Sequence, residues 1–314
     1  ACLVGSEMCI RDRIITQEAY HGTSALTSGC SPSLGAGQPL LPNVRLITAP
    51  DYYRHGGTPE EFTAWYASEM QKTIDELNEA GYKFSCFLAD SIFSSDGIYP
   101  DPVGFLKATV DVVHKNGGVF IADEVQPGFA RTGQAFFGFA RHGIVPDMIT
   151  MGKPMGNGIP ISGLAAKEDV LAAFSDKLPY FNTFGGNPVS IAAAQAVLKY
   201  IKDENLQEHC KKAGGALLKA LKEVQERHPE SVGDVRGAGL FLGFEFVKND
   251  GNKTPDKDMA LNVIEMLRDE HILTSVIGHY GNILKLRPPM VFSENDIDWF
   301  ATSLDKCITK LENT

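Results

Sequence analysis

The sequence predicts an α/β fold with a mostly parallel central sheet, helices on both faces and a small C-terminal α+β domain. Short apolar segments typical of buried strands alternate with helical segments, as in parallel α/β proteins, and the pattern changes near residue 206. The length of 314 residues fits two domains, since one domain usually holds about 100–200 residues. We therefore expect a large domain over 14–205 and a small domain over 206–314.

The individual elements follow from local patterns along the chain. Residues 14–59 are rich in glycine, proline and serine, so we expect mostly loops there. The large domain is then predicted to contain helices over 62–80, 103–116 and 187–203 and strands over 84–89, 119–122 and 147–150. The small domain is predicted to contain helices over 206–227, 259–270 and 294–312 and strands over 239–247 and 283–286.

Residues 1–13 differ in character from the sequence that follows. They match neither a targeting peptide nor the start of a regular element. We interpret them as a non-native segment, with native sequence missing upstream. A frayed native terminus is the alternative.

Composition argues against several functional classes. The 29 basic and 39 acidic residues give a net charge of −10, whereas a nucleic-acid or anionic-membrane binder needs a basic face. No apolar run reaches the roughly 18 residues of a membrane span. The six cysteines form no C-x-x-C pair, so we expect separate thiols in a reducing cytoplasm and neither disulfides nor a metal site.

Unusual residues follow two of the predicted strands. Asp123 and Glu124 come directly after one strand, and Lys153 lies in a glycine-rich turn after the next. Taken alone, an acid there is usually a helix cap and a lone lysine is usually a surface residue. Because ligands of parallel sheets bind beyond the strand ends, the pair together predicts one cleft that holds an acid and a reactive amine. The glycine run lacks the spacing of a nucleotide-binding P-loop.

The chain from Ile14 onward resembles the class III (ω-type) aminotransferases, pyridoxal-phosphate-dependent enzymes of fold type I. The resemblance rests on I-A-D-E-V-Q, G-F-A-R-T-G, P-D-M-I-T-M-G-K and G-N-G-I-P-I-S between residues 118 and 163. Supporting matches are A-Y-H-G at 19–22, N-T-F-G-G-N-P at 182–188 and L-R-P-P at 286–289.

The resemblance implies roles for individual residues. Lys153 is expected to form the Schiff base with pyridoxal 5'-phosphate, and Asp123 is expected to keep the pyridine nitrogen protonated. Glu124 matches the motif but is interpreted as structural. The other implied cofactor contacts are Tyr20 and Val125 on the ring faces, Gln126 near the ring hydroxyl, His21 as a shaping residue, and Thr183 on the phosphate across a homodimer interface.

Three positions depart from the family pattern. The glycine–serine phosphate loop is missing upstream of A-Y-H-G, because Gly5-Ser6-Glu7 lies too close to His21 to replace it. Lys285 occupies a position where many members carry an arginine that binds carboxylates, and Arg287 follows two residues later. Asp90 replaces the glutamate that often partners that arginine. These changes suggest an altered substrate gate.

The leading hypothesis is an aminotransferase that moves an amino group from an amine or amino acid to a keto acid by a ping-pong mechanism. The alternative is a phospho-lyase acting on an amino-alcohol phosphate such as phosphoethanolamine, because residues 152–158, 181–190 and 285–292 resemble that branch of the family. An inactive truncated chain is a further alternative.

Overall fold

The central sheet is mostly parallel, in a computed structural model that describes residues 12–313. Within those residues the sheet has six strands in the order β2-β1-β3-β4-β5-β6. They are β1 (Arg13–Thr16), β2 (Val44–Ile47), β3 (Cys86–Ala89), β4 (Val119–Asp123), β5 (Met148–Met151) and β6 (Gly163–Ala166). The first five are parallel to their neighbours, and β6 runs antiparallel to β5. The predicted α/β class is confirmed.

Two amphipathic helices cover one face of this sheet. The helix at Pro59–Glu79 begins with a capping box in which Thr58 and Glu61 satisfy each other's backbone N–H groups. Its buried side chains Phe62 and Tyr66 pack in one apolar cluster with residues of β3 and β4. The helices before residue 206 are α1 (Ala25–Ser28), α2 (Tyr52–His55), α3 (Pro59–Glu79), α4 (Leu106–Lys115), α5 (Glu168–Ser175) and α6 (Pro188–Asp203).

A second, antiparallel sheet forms the C-terminal part of the chain. Its strands are β7 (Val232–Gly237), β8 (Leu242–Phe246), β9 (Ser275–Ile277) and β10 (Ile283–Leu286), in the order β7-β8-β10-β9. The helices packed against it are α7 (Leu206–Arg227), α8 (Lys257–Asp269) and α9 (Glu294–Glu312). Buried side chains from residue 210 onward make a separate apolar core there. The domain division at 206 lies beside the start of this core and stays a prediction.

Most of residues 14–59 is loop, as predicted, but the region also contains short regular elements. This region contains β1 and β2, and strands β6, β7 and β9 were also not predicted. Arg13 begins β1, and the Asp12 carboxylate accepts a 2.6 Å hydrogen bond from the Lys83 backbone, so the last two residues of the 1–13 segment belong to the fold. The remainder of that segment, including Gly5-Ser6-Glu7, Cys2 and Cys9, lies outside the described residues.

A buried charge network joins the two parts of the chain. The Glu245 carboxylate in β8 is fully buried and binds Arg54 at 2.5 Å and Arg236 at 2.7 Å. Arg236 also donates hydrogen bonds to the carbonyls of Gly97 and Ile98 in the large domain. A buried carboxylate is tolerated only when paired, so this network fixes the second sheet against the first.

We expect Glu245→Ala to destabilise the protein by about 3–5 kcal/mol, because it leaves two arginines partly buried without their shared carboxylate. Urea unfolding measures the difference. Asp111→Ala is the matched control, since Asp111 pairs with Lys107 at 2.9 Å but more than half of each side chain is exposed. Equal effects of the two substitutions would contradict the role given to the network.

Candidate active site

The pairing of β4 with β5 places the two predicted chemical groups at one sheet edge. The two strands are parallel, and Asp123 at the end of β4 is in register with Thr150. Lys153 follows Thr150 by three residues, just beyond the end of β5. Both residues therefore leave the sheet at the carboxyl ends of adjacent strands, where parallel sheets bind ligands.

Asp123 is a largely buried carboxylate that is well supplied with donors. Its Oδ2 lies 2.7 Å from His21 Nδ1, and its Oδ1 accepts a 3.1 Å bond from the Val125 backbone. Burial acts to raise the pKa of Asp123, but the His21 contact and the hydrogen bonds from Val125 and Thr150 outweigh it and leave that pKa below its usual value. Ser31 fixes His21 in turn by accepting from its backbone N–H at 2.9 Å. Asp123 is thus held ionised.

Lys153 starts a tight turn and points its amine at an aromatic ring. It follows the extended Gly152 and is the first residue of a 3₁₀ turn over Lys153–Gly156. Its φ of +34° is unusual for a residue with a side chain, which marks a strained position of the kind found at functional sites. Its Nζ lies 5.5 Å from the ring centroid of Tyr20. Tyr20 precedes His21, so two adjacent residues contact the amine and the Asp123 carboxylate.

A buried carboxylate holds the segment that carries Tyr20 and His21. Asp96 accepts a 2.7 Å bond from the Thr16 hydroxyl and a 2.9 Å bond from the Glu18 backbone. The sequence analysis missed Asp96, since nothing near it in the chain marks a contact about eighty residues away. His21 Nε2 is buried without a hydrogen-bond partner in the described part of the chain, so a polar atom beside Asp123 remains unsatisfied.

Lys285 and Arg287 converge on one aromatic side chain, as the alternation of a strand predicts. Lys285 Nζ lies 5.5 Å from the ring centroid of the buried Phe241, and Arg287 Cζ lies 5.9 Å from it. Arg287 also donates to the side-chain oxygen of Gln126, in the loop after Asp123. Arg287, from the C-terminal part of the chain, therefore reaches the loop that follows Asp123.

The surroundings of Lys285 lower the pKa of its amine. Burial lowers its pKa to about 8, and the charges of Arg287 and Lys153 act in the same direction, while Asp90 opposes them. These interactions bring Lys153, Lys285, Arg287 and Asp90 into one electrostatic neighbourhood. The four residues were all predicted to line the site.

The Asp90 carboxylate is hydrogen-bonded within its own loop. Directly after β3, its carboxylate accepts hydrogen bonds from the backbones of Ile92 and Ser94 and from the Ser94 hydroxyl. Within residues 12–313 it makes no ion pair with Lys285 and acts on it through space. The hydrogen bonds of Asp90 therefore go to its own loop, and its effect on Lys285 is electrostatic only.

The Glu124 carboxylate is hydrogen-bonded to one side chain and two backbone groups of the surrounding loops, in line with a structural interpretation. Its fully buried carboxylate accepts hydrogen bonds of 2.8 Å from the Ser91 hydroxyl and of 2.7 and 2.9 Å from the backbones of Gly138 and Phe139. It thus anchors the loop after β4 and leaves Asp123 as the acid that faces the site.

Thr183 lies apart from these groups on an exposed segment. Asn182 shapes that segment by accepting from the backbones of Phe184 and Gly185. A cavity of about 530 Å³ separates the segment from the turn after Lys153, with Met155 in its lining. The side chains of Phe181 and Phe184 beside Thr183 are more than four-fifths exposed.

Residues 12–313 contain neither an arrangement typical of a metal centre nor a membrane-spanning helix. No group of three His, Cys, Asp or Glu side chains there is arranged to hold a metal ion. No helix in the same range combines the length and apolar character needed to cross a bilayer. Cys30, Cys86, Cys210 and Cys307 form no disulfide within it.

Comparison with known sequences places the chain in a family. The sequence model of class-III aminotransferases matches residues 7–308, so the chain belongs to the class III aminotransferase family. Ethanolamine-phosphate phospho-lyase homolog 1 of Caenorhabditis elegans is 35% identical and is matched over 95% of this chain and 68% of its own length. Alanine–glyoxylate aminotransferase 2 homolog 2, mitochondrial, of Arabidopsis thaliana is 36% identical, over 96% of this chain and 62% of its own length.

Solved structures confirm the fold. A phospholyase from Arthrobacter in complex with phosphoethanolamine has a TM-score of 0.88 and 33% identity, covering 95% of this chain and 71% of that one. A Bacillus anthracis aminotransferase has a TM-score of 0.85 and 30% identity, covering 95% and 69%. The chain thus spans about two thirds of the length of proteins that include both aminotransferases and phospho-lyases.

The buried Asp96 predicts a dependence of stability on pH. Burial raises its pKa to about 7 from the usual 3.8, so its folding contribution is complete below the unfolded pKa and is lost as pH rises through about 7. Between about pH 5 and pH 8, wild type should lose at least about 1 kcal/mol relative to Asp96→Asn. Thermal unfolding at both pH values measures this, with the exposed Asp111→Asn as control. Parallel pH profiles for wild type and Asp96→Asn would contradict it.

Proposed function

We propose that the chain is built for pyridoxal 5'-phosphate-dependent transfer of an amino group from an amine or amino acid to a keto acid. The observation that carries this proposal is that the adjacent residues Tyr20 and His21 contact the Lys153 amine and the Asp123 carboxylate, respectively. Membership of the class III aminotransferase family supports the same chemistry.

The residues at this sheet edge fit the ring of that cofactor. Asp123 offers a buried negative charge suited to a protonated ring nitrogen, and His21 and Val125 fix its orientation. Tyr20 offers an aromatic face beside the Lys153 amine that would bind the cofactor's aldehyde. On the phosphate side, Thr183 is the residue that would make the contact.

The cofactor, when bound, supplies an electron sink that makes the substrate's Cα–H bond acidic. Lys153, once its amine is released from the cofactor by the substrate amine, would act as the base, with Nζ taking up the substrate's Cα proton and holding it for return. Asp123 would keep a proton on the ring nitrogen, because a buried ionised carboxylate stabilises positive charge beside it. Repeating the sequence with a keto acid in the opposite direction makes the transfer ping-pong.

A homodimer would complete the site. Thr183 would reach the cofactor phosphate of a second copy from its exposed segment. The apolar side chains around that segment support contact with another chain, because large patches of this kind are usually covered. They are Tyr180, Phe181, Phe184 and Val189, each more than two thirds exposed. A cytoplasmic location stays a prediction, since several relatives are named mitochondrial.

Reduction with borohydride tests the proposal directly. We expect the chain incubated with pyridoxal phosphate to acquire one stable adduct, located by peptide mass spectrometry on Lys153. Lys153→Ala should lose the adduct, and Lys72→Ala, which removes an exposed lysine of α3, should keep it. A folded wild type without an adduct would contradict the proposal and favour an inactive truncated chain. Labelling spread over other lysines would also contradict it.

Phospho-lyase activity is the second candidate, favoured by the substrate gate. Lys285 and Arg287 bring two positive groups to one place, and Asp90 is occupied by its own loop. A phosphate dianion suits such a pair, whereas one carboxylate needs only a single arginine. Incubation with phosphoethanolamine and no keto acid separates the candidates. Release of phosphate and ammonia indicates the lyase, while dependence on 2-oxoglutarate or pyruvate indicates the transferase.

Lys285 predicts how anion recognition depends on pH. Because its pKa is lowered to about 8, the amine loses its charge as pH rises through that value and then attracts an anion less. We expect KM for the anionic substrate to rise by about tenfold or more above about pH 8. Lys285→Met should have a high KM throughout and lack this inflection. An unchanged inflection in the variant would assign the titration to another group.

A further inference from the structure

Arg131 is a partly buried cation that links the loop after β4 to the C-terminal part of the chain. Its NH1 donates to the carbonyl of Leu240 at 3.2 Å and to that of Pro288 at 2.8 Å. Among residues 12–313, no carboxylate forms an ion pair with it. A partly buried guanidinium whose hydrogen bonds there go to two carbonyls calls for a functional reason.

The two carbonyls adjoin the groups that form the substrate gate. The Leu240 carbonyl belongs to the peptide bond of Phe241, whose ring lies under both Lys285 and Arg287. The other carbonyl belongs to Pro288, the residue directly after Arg287. The Arg131 guanidinium therefore holds the backbone next to Phe241 and the backbone next to Arg287, whose side chain lies over the Phe241 ring.

Backbone contacts make this connection rigid. The Leu240 N–H donates back to the Arg131 carbonyl at 3.1 Å, so each of the two segments donates a hydrogen bond to the other. Gly239 allows the approach, since it has a φ of +54° and an added Cβ would meet that carbonyl at 2.4 Å. Phe129 and Ala130, directly before Arg131, have φ values of +61° and +68°. Such strained residues persist where the surroundings fix them.

The charge of Arg131 adds to that of the gate. Burial lowers its pKa to about 10, with the charge of Arg287 acting in the same direction, so the group stays protonated at neutral pH. A cation that lacks a carboxylate partner raises the local positive potential. Arg131, Arg287 and Lys285 together favour a substrate with an anionic group.

We infer that Arg131 is a positioning residue for substrate specificity: by holding the Leu240 and Pro288 carbonyls it sets Phe241 and Arg287 in place to receive the anionic group of the substrate. This inference deepens the proposed function and rests on it. The alternative is a purely structural tie between domains, which would affect stability without affecting anion recognition.

Binding of anions to the full chain separates these roles without requiring turnover. Calorimetry with inorganic phosphate and with glutarate probes phosphate and carboxylate recognition separately. Arg131→Met should weaken binding of the preferred anion by about tenfold or more, as expected for the loss of hydrogen bonds from a charged donor. Arg131→Lys keeps the positive charge but lacks the planar guanidinium, so its affinity should lie between those of wild type and Arg131→Met. Arg45→Met is the control, since Arg45 also donates to two carbonyls, at 3.0 Å, but far from the gate.

A double variant tests whether Arg131 acts through Arg287. If it does, Arg131→Met combined with Arg287→Met should bind no more weakly than Arg287→Met alone. The inference is overturned if the two effects add, if Arg131→Lys and Arg131→Met both bind like wild type, or if wild type binds neither anion. Borohydride trapping on Lys153 tests the proposed function separately from anion binding. Absence of the trapped adduct in wild type would count against the proposed function, whereas trapping in Arg131→Lys does not depend on how that variant binds anions.

Discussion

The parallel pairing of β4 and β5 is the constraint on which the rest of the site depends. It brings the end of one strand, at Asp123, beside the end of the next, where Lys153 begins its turn. A carboxylate in this place must be buried and charged at once, which is unfavourable without donors. His21 and the Val125 backbone supply them, and the pKa of Asp123 stays low despite burial. The sheet thus makes a charged position available, and the loops around it make that position stable.

Segments distant in sequence are drawn to this edge by buried polar contacts. Asp96 holds the strand-end segment that carries Tyr20 and His21. Glu245, through two arginines, fixes the second sheet, whose strand β10 presents Lys285. These carboxylates contact none of the proposed reacting groups, yet they determine where those groups lie. Buried carboxyl groups therefore fix the geometry of the site as well as taking part in its proposed chemistry.

Sequence reasoning succeeded where a pattern was long or a motif was local. The helices α7 and α9 have the predicted bounds, because apolar periodicity over many residues is a strong signal. The strand β10 also has the predicted bounds, although it has only four residues. Strands β1 and β2 were missed, since four-residue strands among glycine and proline leave almost no period to detect. Asp123 and Lys153 stood out because unusual residues follow buried strands. Asp96, Phe241 and Arg131 act through contacts made only in three dimensions, which no spacing along the chain reveals.

A crystal structure of the chain grown with pyridoxal phosphate tests the central claim most directly, because it locates the ring against both residues at once. The account predicts continuous density from Lys153 Nζ to the aldehyde carbon, with the ring nitrogen within hydrogen-bond distance of the Asp123 carboxylate. The ring should lie between Tyr20 and Val125. A cofactor bound elsewhere on a well-ordered chain, or one whose ring nitrogen points away from Asp123, would contradict the account.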